Sequence, residues 1–213
     1  MSWRTLTLIL ALCAAGWWFS PHSPRVPAAP AWATHEIPHC PLPPRAQDRD
    51  TPLQSVVPPT LPPFRLRDAT LRPLAGFSID ARVLSREDYA TGRESRLSPT
   101  DLALGWGAMR DDAVLAQLDI RQSARWFTYR WRGAPPLPPD AIVRSAANMH
   151  MIPANRSVAT TLRGIRAGDR VRIDGWLVEA DAGDGWRWRS SLTREDTGSG
   201  ACEVVFVCAI ARE

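Results

Sequence analysis

The sequence predicts an α+β protein dominated by β-strands, in which one folded domain follows a membrane anchor and a proline-rich tether. Three observations lead to this prediction. An apolar stretch runs through residues 6–19, a set of prolines follows it, and short apolar segments with alternating patterns fill the rest of the chain. Short strands that bend at glycine and end in an apolar strand are typical of a small OB-like or SH3-like barrel. A strand and two short helices should precede that barrel.

Residues 1–19 predict an N-terminal transmembrane helix that acts as a signal anchor. Arg4 precedes the apolar stretch, and tryptophans at positions 3, 17 and 18 stand at its ends, where indole rings favour the membrane boundary. Residues 3–20 come close to the roughly 20 residues that span a bilayer. The charge before the stretch places the rest of the chain outside the cytoplasm. We therefore expect a single-pass protein of the bacterial inner membrane whose domain faces the periplasm.

Two alternatives for the N-terminal segment stay open. A signal peptide would be cleaved after small residues, and residues 14–16 and 31–33 are the candidates. The first leaves a very short apolar segment, and the second lies far beyond it. Attachment of a lipid to Cys13 would need a small residue before it, but Leu12 stands there. The retained anchor is therefore the favoured interpretation.

Residues 20–63 predict a disordered, proline-rich tether. They hold 13 of the 20 prolines of the chain. Proline fixes φ and donates no backbone hydrogen bond, so such a segment is extended and serves as a semi-rigid spacer. It also has few large apolar residues with which to build a core. The globular domain is therefore expected to cover residues 64–213, which is ample for a core.

The first half of the domain predicts strands and two short helices. Residues 76–84 alternate apolar and polar side chains, as a half-buried strand does. Ser98, Pro99 and Asp101 suit the start of a helix that Gly105 should end. The other predicted elements are a helix over residues 112–118, a strand with Phe127, Tyr129 and Trp131 on one face, and a strand from Ala141 that Pro153 ends.

The C-terminal part predicts a long hairpin and a final strand. One strand should run over residues 170–180, turn at DAGDG and return through GWRWRSSL. The apolar side chains change from odd to even positions around Asp174 and Gly175, which predicts a bulge or a sharp bend. The polar loop TREDTGSG then leads to the apolar strand ACEVVFVCAI.

The cysteines fit an oxidising compartment. Cys202 and Cys208 lie on one predicted strand, about 20 Å apart if the strand is straight, which is beyond the reach of a disulfide bond. A Cys40–Cys202 disulfide and buried thiols are the alternatives that this spacing leaves open.

The charge pattern argues against a nucleic-acid partner. All 26 basic residues are arginines, which fits a coding bias better than selection for phosphate contacts. From residue 64 onward the chain has 22 arginines and 19 acidic residues, with no basic run. A nearly neutral domain outside the cytoplasm lacks the basic patch of a nucleic-acid-binding protein. The sequence suggests no cofactor.

Four longer motifs carry a resemblance to a known family. They are LSPTDLALGWGAM, SAANMHMIP, GDRVRIDGWLVE and WRSSLTREDTGSGACEVVFV, and the likeness extends over residues 77–207. Together they resemble a family of bacterial membrane-anchored or exported proteins that has a small β-barrel-like C-terminal domain. The resemblance implies an envelope protein with this domain, and it implies no activity, cofactor or catalytic residue.

Two short motifs suggest enzymes and fit their contexts poorly. HEIPH matches the HExxH pattern of zinc proteases, which needs both histidines on one helix face. A proline lies inside the motif, so only a loose metal site survives as a weak alternative; its members would be His35, Glu36, His39 and Cys40. DTGS, which begins at Asp196, matches the loop of aspartic proteases, but charged residues precede it where a buried strand is expected. A turn that uses the Asp and the glycine is favoured there.

Two polar groups are the remaining candidate binding residues. Asn148 and His150 stand among methionines in ANMHM, where a lone histidine is more often packed than functional. No GxSxG motif accompanies it. The second group surrounds the last hairpin and could bind an anionic or peptide group, although an Arg194 salt bridge to Glu203 or Asp196 is the more ordinary expectation; its members are Ser190, Ser191, Arg194, Asp196 and Glu203.

These features together favour a binding or assembly module over an enzyme. A small domain presented on a spacer suits contact with the membrane on one side and another envelope protein on the other. The alternative is an envelope hydrolase that uses His150 or Asp196. The absence of a complete catalytic motif in the sequence disfavours it.

Overall fold

The computed structural model describes residues 3–18, 20, 40–193 and 200–213. It has the expected α+β architecture, rich in strands. Helix α1, Trp3–Trp18, has 16 residues, and all of them are exposed. Within the described ranges, no helix combines the length and the apolar character that a membrane crossing requires.

Eight strands form one sheet, and five of them close a ring. In the ring, β3 pairs with β4, β4 with β7, β7 with β10, β10 with β8, and β8 again with β3. Only the β7–β10 pair is parallel. The eight strands are β1 Leu53–Ser55, β2 Phe64–Leu66, β3 Ala69–Asp88, β4 Thr100–Gly105, β7 Ala146–Pro153, β8 Arg170–Asp181, β9 Arg187–Arg189 and β10 Glu203–Arg212.

The length of β3 makes the ring possible. This strand has 20 residues, of which those from Thr70 to Arg82 pair with β8 and those from Arg82 to Asp88 pair with β4. One strand therefore provides both edges at which the sheet closes. The register shifts between Pro73 and Ala75 and again between Val83 and Ser85, where a bulge lets the strand bend.

Alternate side chains of the ring strands divide between two apolar layers. The inner layer fills the ring and contains Phe77, Leu102, Met149, Ile173 and Val205 among its members. Helix α4, Arg156–Gly164, joins β7 to β8 and adds further apolar side chains to the inner layer. The outer layer covers the other face of the same strands, so β4 and β7 are buried on both faces.

A separate hairpin lies beside the ring. Its strands are β5, Leu118–Ser123, and β6, Trp126–Trp131. Phe127, Tyr129 and Trp131 share the half-buried face of β6, as the sequence predicts, and pack on a third apolar cluster. That cluster also involves helices α2, Asp112–Leu115, and α3, Pro139–Arg144.

Residues 40–50, which we call the strap, run along the outside of the ring. Cys40 forms a disulfide with Cys208 on β10. The indole Nε1 of Trp176 donates a hydrogen bond of 2.8 Å to the carbonyl of Pro41. The backbone N–H of Ala46 donates to Oγ of Ser78 at 2.9 Å. The predicted alternatives for Cys40 were a bond to Cys202 or a buried thiol, and both are wrong.

Two ion pairs hold the strap in place. The Nε of Arg45 lies 3.2 Å from Oδ2 of the buried Asp174, and the Nε of Arg49 lies 3.4 Å from Oδ2 of the buried Asp80. Further along, β1 and β2 add strands to β3 within the segment that the sequence suggested as tether. A disulfide and backbone pairing thus hold residues 40–66 on the ring although large apolar residues are scarce there.

Three of the predicted elements differ from the structure. The segment after Ser98 forms β4 instead of a helix, because it pairs with β3 on one edge and β7 on the other. Residues 139–144 form α3 instead of the start of a strand. In β8 the odd positions stay on the inner face throughout, and the irregularity opposite Asp174 and Gly175 lies on β10, between Val207 and Ala209. Gly175 is needed because a Cβ there would lie 2.2 Å from the carbonyl oxygen of Phe206.

Candidate functional site

A group of polar side chains interrupts the outer apolar layer where β4, β7 and β10 lie side by side. Asp101 on β4 is paired with His150 on β7, and His150 is paired in turn with Val204 on β10. Asn148 precedes His150 by two residues, and Cys202 precedes Val204 by two. Side chains two residues apart share a strand face, so Asn148 lies beside His150. Cys202, in the bend just before β10, approaches the same group, with its Sγ 3.9 Å from Nδ2 of Asn148.

The Asp101 carboxylate is the centre of this group. It is fully buried, and its Oδ1 lies 2.7 Å from Nη1 of Arg125. Its Oδ2 lies 2.9 Å from Nδ1 of His150, which is 3 % exposed. A buried carboxylate is costly unless it is paired and hydrogen-bonded, and here a guanidinium and an imidazole flank it.

Arg125 reaches Asp101 from the tip of the β5–β6 hairpin. Ala124 and Arg125 form a two-residue turn with φ values of 49° and 65°. This conformation usually requires glycine or asparagine, so the turn is strained. The strain is offset by contacts of Arg125: its backbone N–H donates to Oη of Tyr89 at 2.7 Å, and its Nη2 donates to the carbonyl of Ser98 at 3.0 Å.

Asn148 links the hairpin to the ring. Its Nδ2 donates a hydrogen bond of 2.8 Å to the carbonyl of Arg125 and lies 3.5 Å from Oδ2 of Asp101. Its Oδ1 accepts from Nε2 of Gln122. The Sγ of Cys202 lies 3.9 Å from Nδ2 of Asn148 and 3.8 Å from the carbonyl oxygen of Arg125. The thiol therefore contacts Arg125, at the tip of the hairpin, and Asn148, which binds that tip.

Aromatic rings wall this polar group. The guanidinium of Arg125 lies over Tyr89 at 4.2 Å from the ring centroid and over Trp188 at 5.4 Å. The ring of Trp188 is 4.7 Å from that of His150, and Trp186 continues the series at 6.2 Å. Cation–π contacts of this kind favour a guanidinium held between rings. We call the group formed by Asp101, Arg125, Asn148, His150 and Cys202, with Tyr89 and Trp188 as its walls, the outer-face site.

The surroundings of Tyr89 shift the pKa of its phenol. Burial raises its pKa above the ordinary value because the charged phenolate would lose solvation. The hydrogen bond from the backbone of Arg125 acts in the opposite direction but is the smaller effect. The phenol is therefore neutral at physiological pH and accepts a hydrogen bond.

The structure brings some of the predicted site residues together. Asn148 and His150 belong to the outer-face site. Ser190 lies nearby, but its Oγ accepts from the backbone N–H of Val204 at 3.1 Å and donates to the carbonyl of Ser191 at 2.8 Å. Ser191 Oγ bonds to the backbone of Thr193. Both serines therefore hold the segment between β9 and β10.

Other predicted site residues lie elsewhere. Glu203 is 1 % exposed and alternates with Val204, so it occupies the inner face of β10. Arg194 and Asp196 fall outside the described residues, as do His35, Glu36 and His39 of the weak metal site. Cys40, the fourth member of that alternative, is in a disulfide. Across the described ranges, no group of three or more His, Cys, Asp or Glu side chains is placed to hold a metal ion.

Most residues of the outer-face site are not predicted from the sequence. Asp101 was assigned to the first turn of a helix, and Arg125 carried no signal because an arginine in a left-handed turn cannot be inferred from its neighbours. Trp188 stood on a correctly predicted returning strand. A carboxylate inside the otherwise apolar run DLALG was the one available sign that a partner would be needed.

Comparisons with known proteins give no family assignment: no protein-family model, no curated protein and no solved structure matches this chain.

Proposed function

We propose that this chain is a membrane-anchored envelope protein whose extracytoplasmic domain binds another envelope component through the outer-face site. In this proposal the first 19 residues anchor the chain in the bacterial inner membrane, and the domain lies in the periplasm. The single observation that carries the binding proposal is Arg125, which is held in a strained turn and inserted between two aromatic rings onto a buried carboxylate.

The arrangement of the ring supports an OB-like barrel. An OB fold is a five-stranded Greek-key barrel that binds ligands on the face of its second and third strands and on the loops between strands 1 and 2 and between strands 4 and 5. Here the ring strands in chain order are β3, β4, β7, β8 and β10. Asp101 and His150 lie on the second and third, Tyr89 follows the first, and Trp188 lies between the fourth and fifth. The outer-face site therefore occupies the position at which such barrels bind ligands, an analogy at the level of the fold.

The cost of the polar group also supports a role beyond packing. The outer layer is apolar on both sides of it. Apolar side chains in place of a buried ion pair are often equally stable or more stable, so a buried pair is weak evidence of stabilisation. Arg125 keeps part of its side chain in contact with solvent, 17 % exposed, while the carboxylate below it is sealed. A ligand could thus reach the guanidinium and the rings without opening the barrel.

The disulfide supports the extracytoplasmic placement. Structural disulfides form and persist in oxidising compartments such as the periplasm and are rare in the cytosol. The Cys40–Cys208 bond joins the strap to the last strand of the ring. The aromatic ends of the α1 segment and Arg4 support the same orientation.

Site-directed photocrosslinking in intact bacterial membranes tests the binding proposal. Leu192 is an exposed position beside the site, since the N–H of Ser191 donates to the carbonyl of Cys202. Thr160, exposed on α4, is the matched control position. A photoreactive residue at 192 should capture one defined partner, whereas the same residue at 160 should not. Trp188→Ala should abolish capture in a chain that still folds. Equal capture at both positions, or capture unaffected by Trp188→Ala, would refute the proposal.

A second candidate function, an envelope hydrolase, is favoured by one contact. The Nδ1 of His150 lies 2.9 Å from the Asp101 carboxylate. A carboxylate at Nδ1 orients an imidazole so that its Nε2 can act as a base. Measuring ester hydrolysis by the purified full-length chain and by its His150→Gln variant tests this candidate.

A further inference from the structure

We propose that the exposed face of the β5–β6 hairpin docks on an anionic phospholipid surface, with its arginines on the headgroup phosphates and Trp126 at the headgroup boundary. This contact is separate from the outer-face site and gives the domain a second interaction surface. It rests on the proposed function in one respect, because the anchor in that proposal holds the domain beside a membrane.

The two faces of this hairpin differ sharply in burial. On one face, the rings of Phe127, Tyr129 and Trp131 follow one another at 5.8 and 6.1 Å and pack on the third apolar cluster. These rings and the buried contacts of Arg125 fix the hairpin on the ring. The opposite face is exposed, and we call its seven residues the hairpin face: Asp119, Arg121, Ser123, Trp126, Thr128, Arg130 and Arg132.

The hairpin face carries an excess of positive charge. It has three arginines and one aspartate. Arg121 uses the aspartate, since its Nη2 lies 2.9 Å from Oδ2 of Asp119. Arg130 is opposite Asp119 in the strand register, yet among the described residues neither Arg130 nor Arg132 forms a salt bridge. Two guanidinium groups on one surface are therefore left for an external anion.

The carboxylate of Asp119 responds to all three guanidinium groups. Its pKa is below the ordinary value, mainly because Arg121 donates a hydrogen bond to it, and the charges of Arg121, Arg130 and Arg132 lower the pKa further. The three positive charges thus act on the same region of the hairpin face. A phosphate in that region would be attracted by the same charges.

A cavity lies among these arginines. It has a volume of about 720 Å³ and opens at the end of the hairpin that is opposite its tip, where Arg121, Arg130, Arg132 and Trp131 are among the lining residues. Its volume is within the range of pockets that hold small ligands. A guanidinium matches a phosphate geometrically and can donate two parallel hydrogen bonds to it. The size and the charge of the cavity therefore suit a phospholipid headgroup.

Trp126 makes a lipid surface the favoured source of that phosphate. Its side chain is 45 % exposed, although an indole is among the most favourable groups to bury. Trp126 and Arg130 lie four residues apart on the same face of β6, which is about 13 Å along a strand. Indole rings favour the headgroup boundary of a membrane, and arginines near it are attracted by anionic lipids. An acidic protein would satisfy the arginines too, and the experiment separates it from lipid.

Photocrosslinking of the full-length chain in lipid nanodiscs tests the inference. A photoreactive residue replaces Thr128 on the hairpin face or, as the matched control, Thr160, which is exposed on α4. In discs of phosphatidylglycerol, position 128 should form phospholipid adducts, identified by mass spectrometry, and position 160 should not. In discs of phosphatidylcholine, which has no net charge, the adduct yield at position 128 should fall about tenfold or more.

Charge variants separate the arginines from the proximity that an anchor provides. Arg130→Gln should lower the adduct yield at position 128 about fivefold, and Arg132→Gln in addition should lower it about 25-fold, because each arginine near an anionic surface contributes a factor of about five. Arg156→Gln removes one charge from an exposed position on α4 and should leave the yield unchanged. All three variants should unfold at the same temperature, since these side chains are exposed.

Several results would overturn the inference. They are equal yields at positions 128 and 160, equal yields at position 128 in the two lipids, and a yield that Arg130→Gln does not change. Capture of a protein in place of lipid at position 128 in intact membranes would also overturn it. A chain that co-elutes with the discs but forms no adducts at position 128 would contradict this inference alone. A chain that elutes apart from the discs would contradict the anchor of the proposed function and this inference with it.

Discussion

Arg125 at the tip of the β5–β6 hairpin and Asp101 on β4 form a salt bridge with 2.7 Å between Nη1 and Oδ1. The two residues belong to different sheets. The bridge therefore fixes the hairpin on the ring at the outer-face site. Because the carboxylate is fully buried and the Arg125 side chain is only 17 % exposed, solvent screens this pair less than a surface pair.

Removing Arg125 alone should be costly. Arg125→Ala leaves the Asp101 carboxylate buried beside His150 and Asn148 without its guanidinium partner, and breaking a buried pair costs about 3–5 kcal/mol. The Asp101→Asn, Arg125→Ala double variant should recover part of that loss, since no unpaired charge remains. Urea unfolding of Arg125→Ala, Asp101→Asn and the double variant measures the coupling. Additive losses in the double variant would mean that the bridge does not stabilise the fold in this way.

The strained turn predicts a stabilising substitution. Ala124 has a φ of 49°, a conformation that costs a non-glycine residue about 1 kcal/mol. Ala124→Gly should therefore raise the free energy of unfolding by up to about 1 kcal/mol, less the entropy that glycine adds to the unfolded chain. Ala116→Gly is the matched control, because Ala116 has a φ of −61° and glycine gains nothing there. Thermal unfolding should show opposite shifts for the two variants.

The disulfide should contribute strongly to stability. Cys40 and Cys208 are separated by 168 residues, and cross-links that close long loops constrain the unfolded chain most. Cys40→Ser should lower the free energy of unfolding by about 2–5 kcal/mol and open the strap to proteases. Cys202→Ser, which leaves the disulfide intact, is the control. If both variants unfold at the same denaturant concentration, the strap contributes little.

The sequence predicts the fold correctly where local patterns agree with the strand pairing of the folded protein, and incorrectly where they conflict. Residues 76–84 and the final strand were correctly placed because their period and composition match their partners. The helix predicted for residues 98–105 is wrong. Ser98 and Pro99 favour a helix start locally, but β3 and β7 pair with this segment on its two edges and make it a strand. The site followed the same rule. The sequence identifies His150 as a candidate, but its role in the site depends on Asp101 and Arg125. Only the closed ring and the strained turn bring these two residues to it.

Both tyrosines of the chain should ionise at a higher pH in the folded protein than in the unfolded chain. Burial raises the pKa of Tyr89 and of Tyr129 above the ordinary value of about 10. Folding therefore favours the neutral phenols. This contribution is fully present below about pH 10, where the unfolded tyrosines begin to ionise. It is lost as the pH rises through the folded pKa values, so the free energy of unfolding should fall in strongly alkaline solution.

Near-ultraviolet absorbance of tyrosinate should show a higher midpoint for the folded chain than for the chain in urea. Tyr89→Phe should leave one late transition, from Tyr129. Identical midpoints in the folded and unfolded chains would show that the phenols are not buried as described.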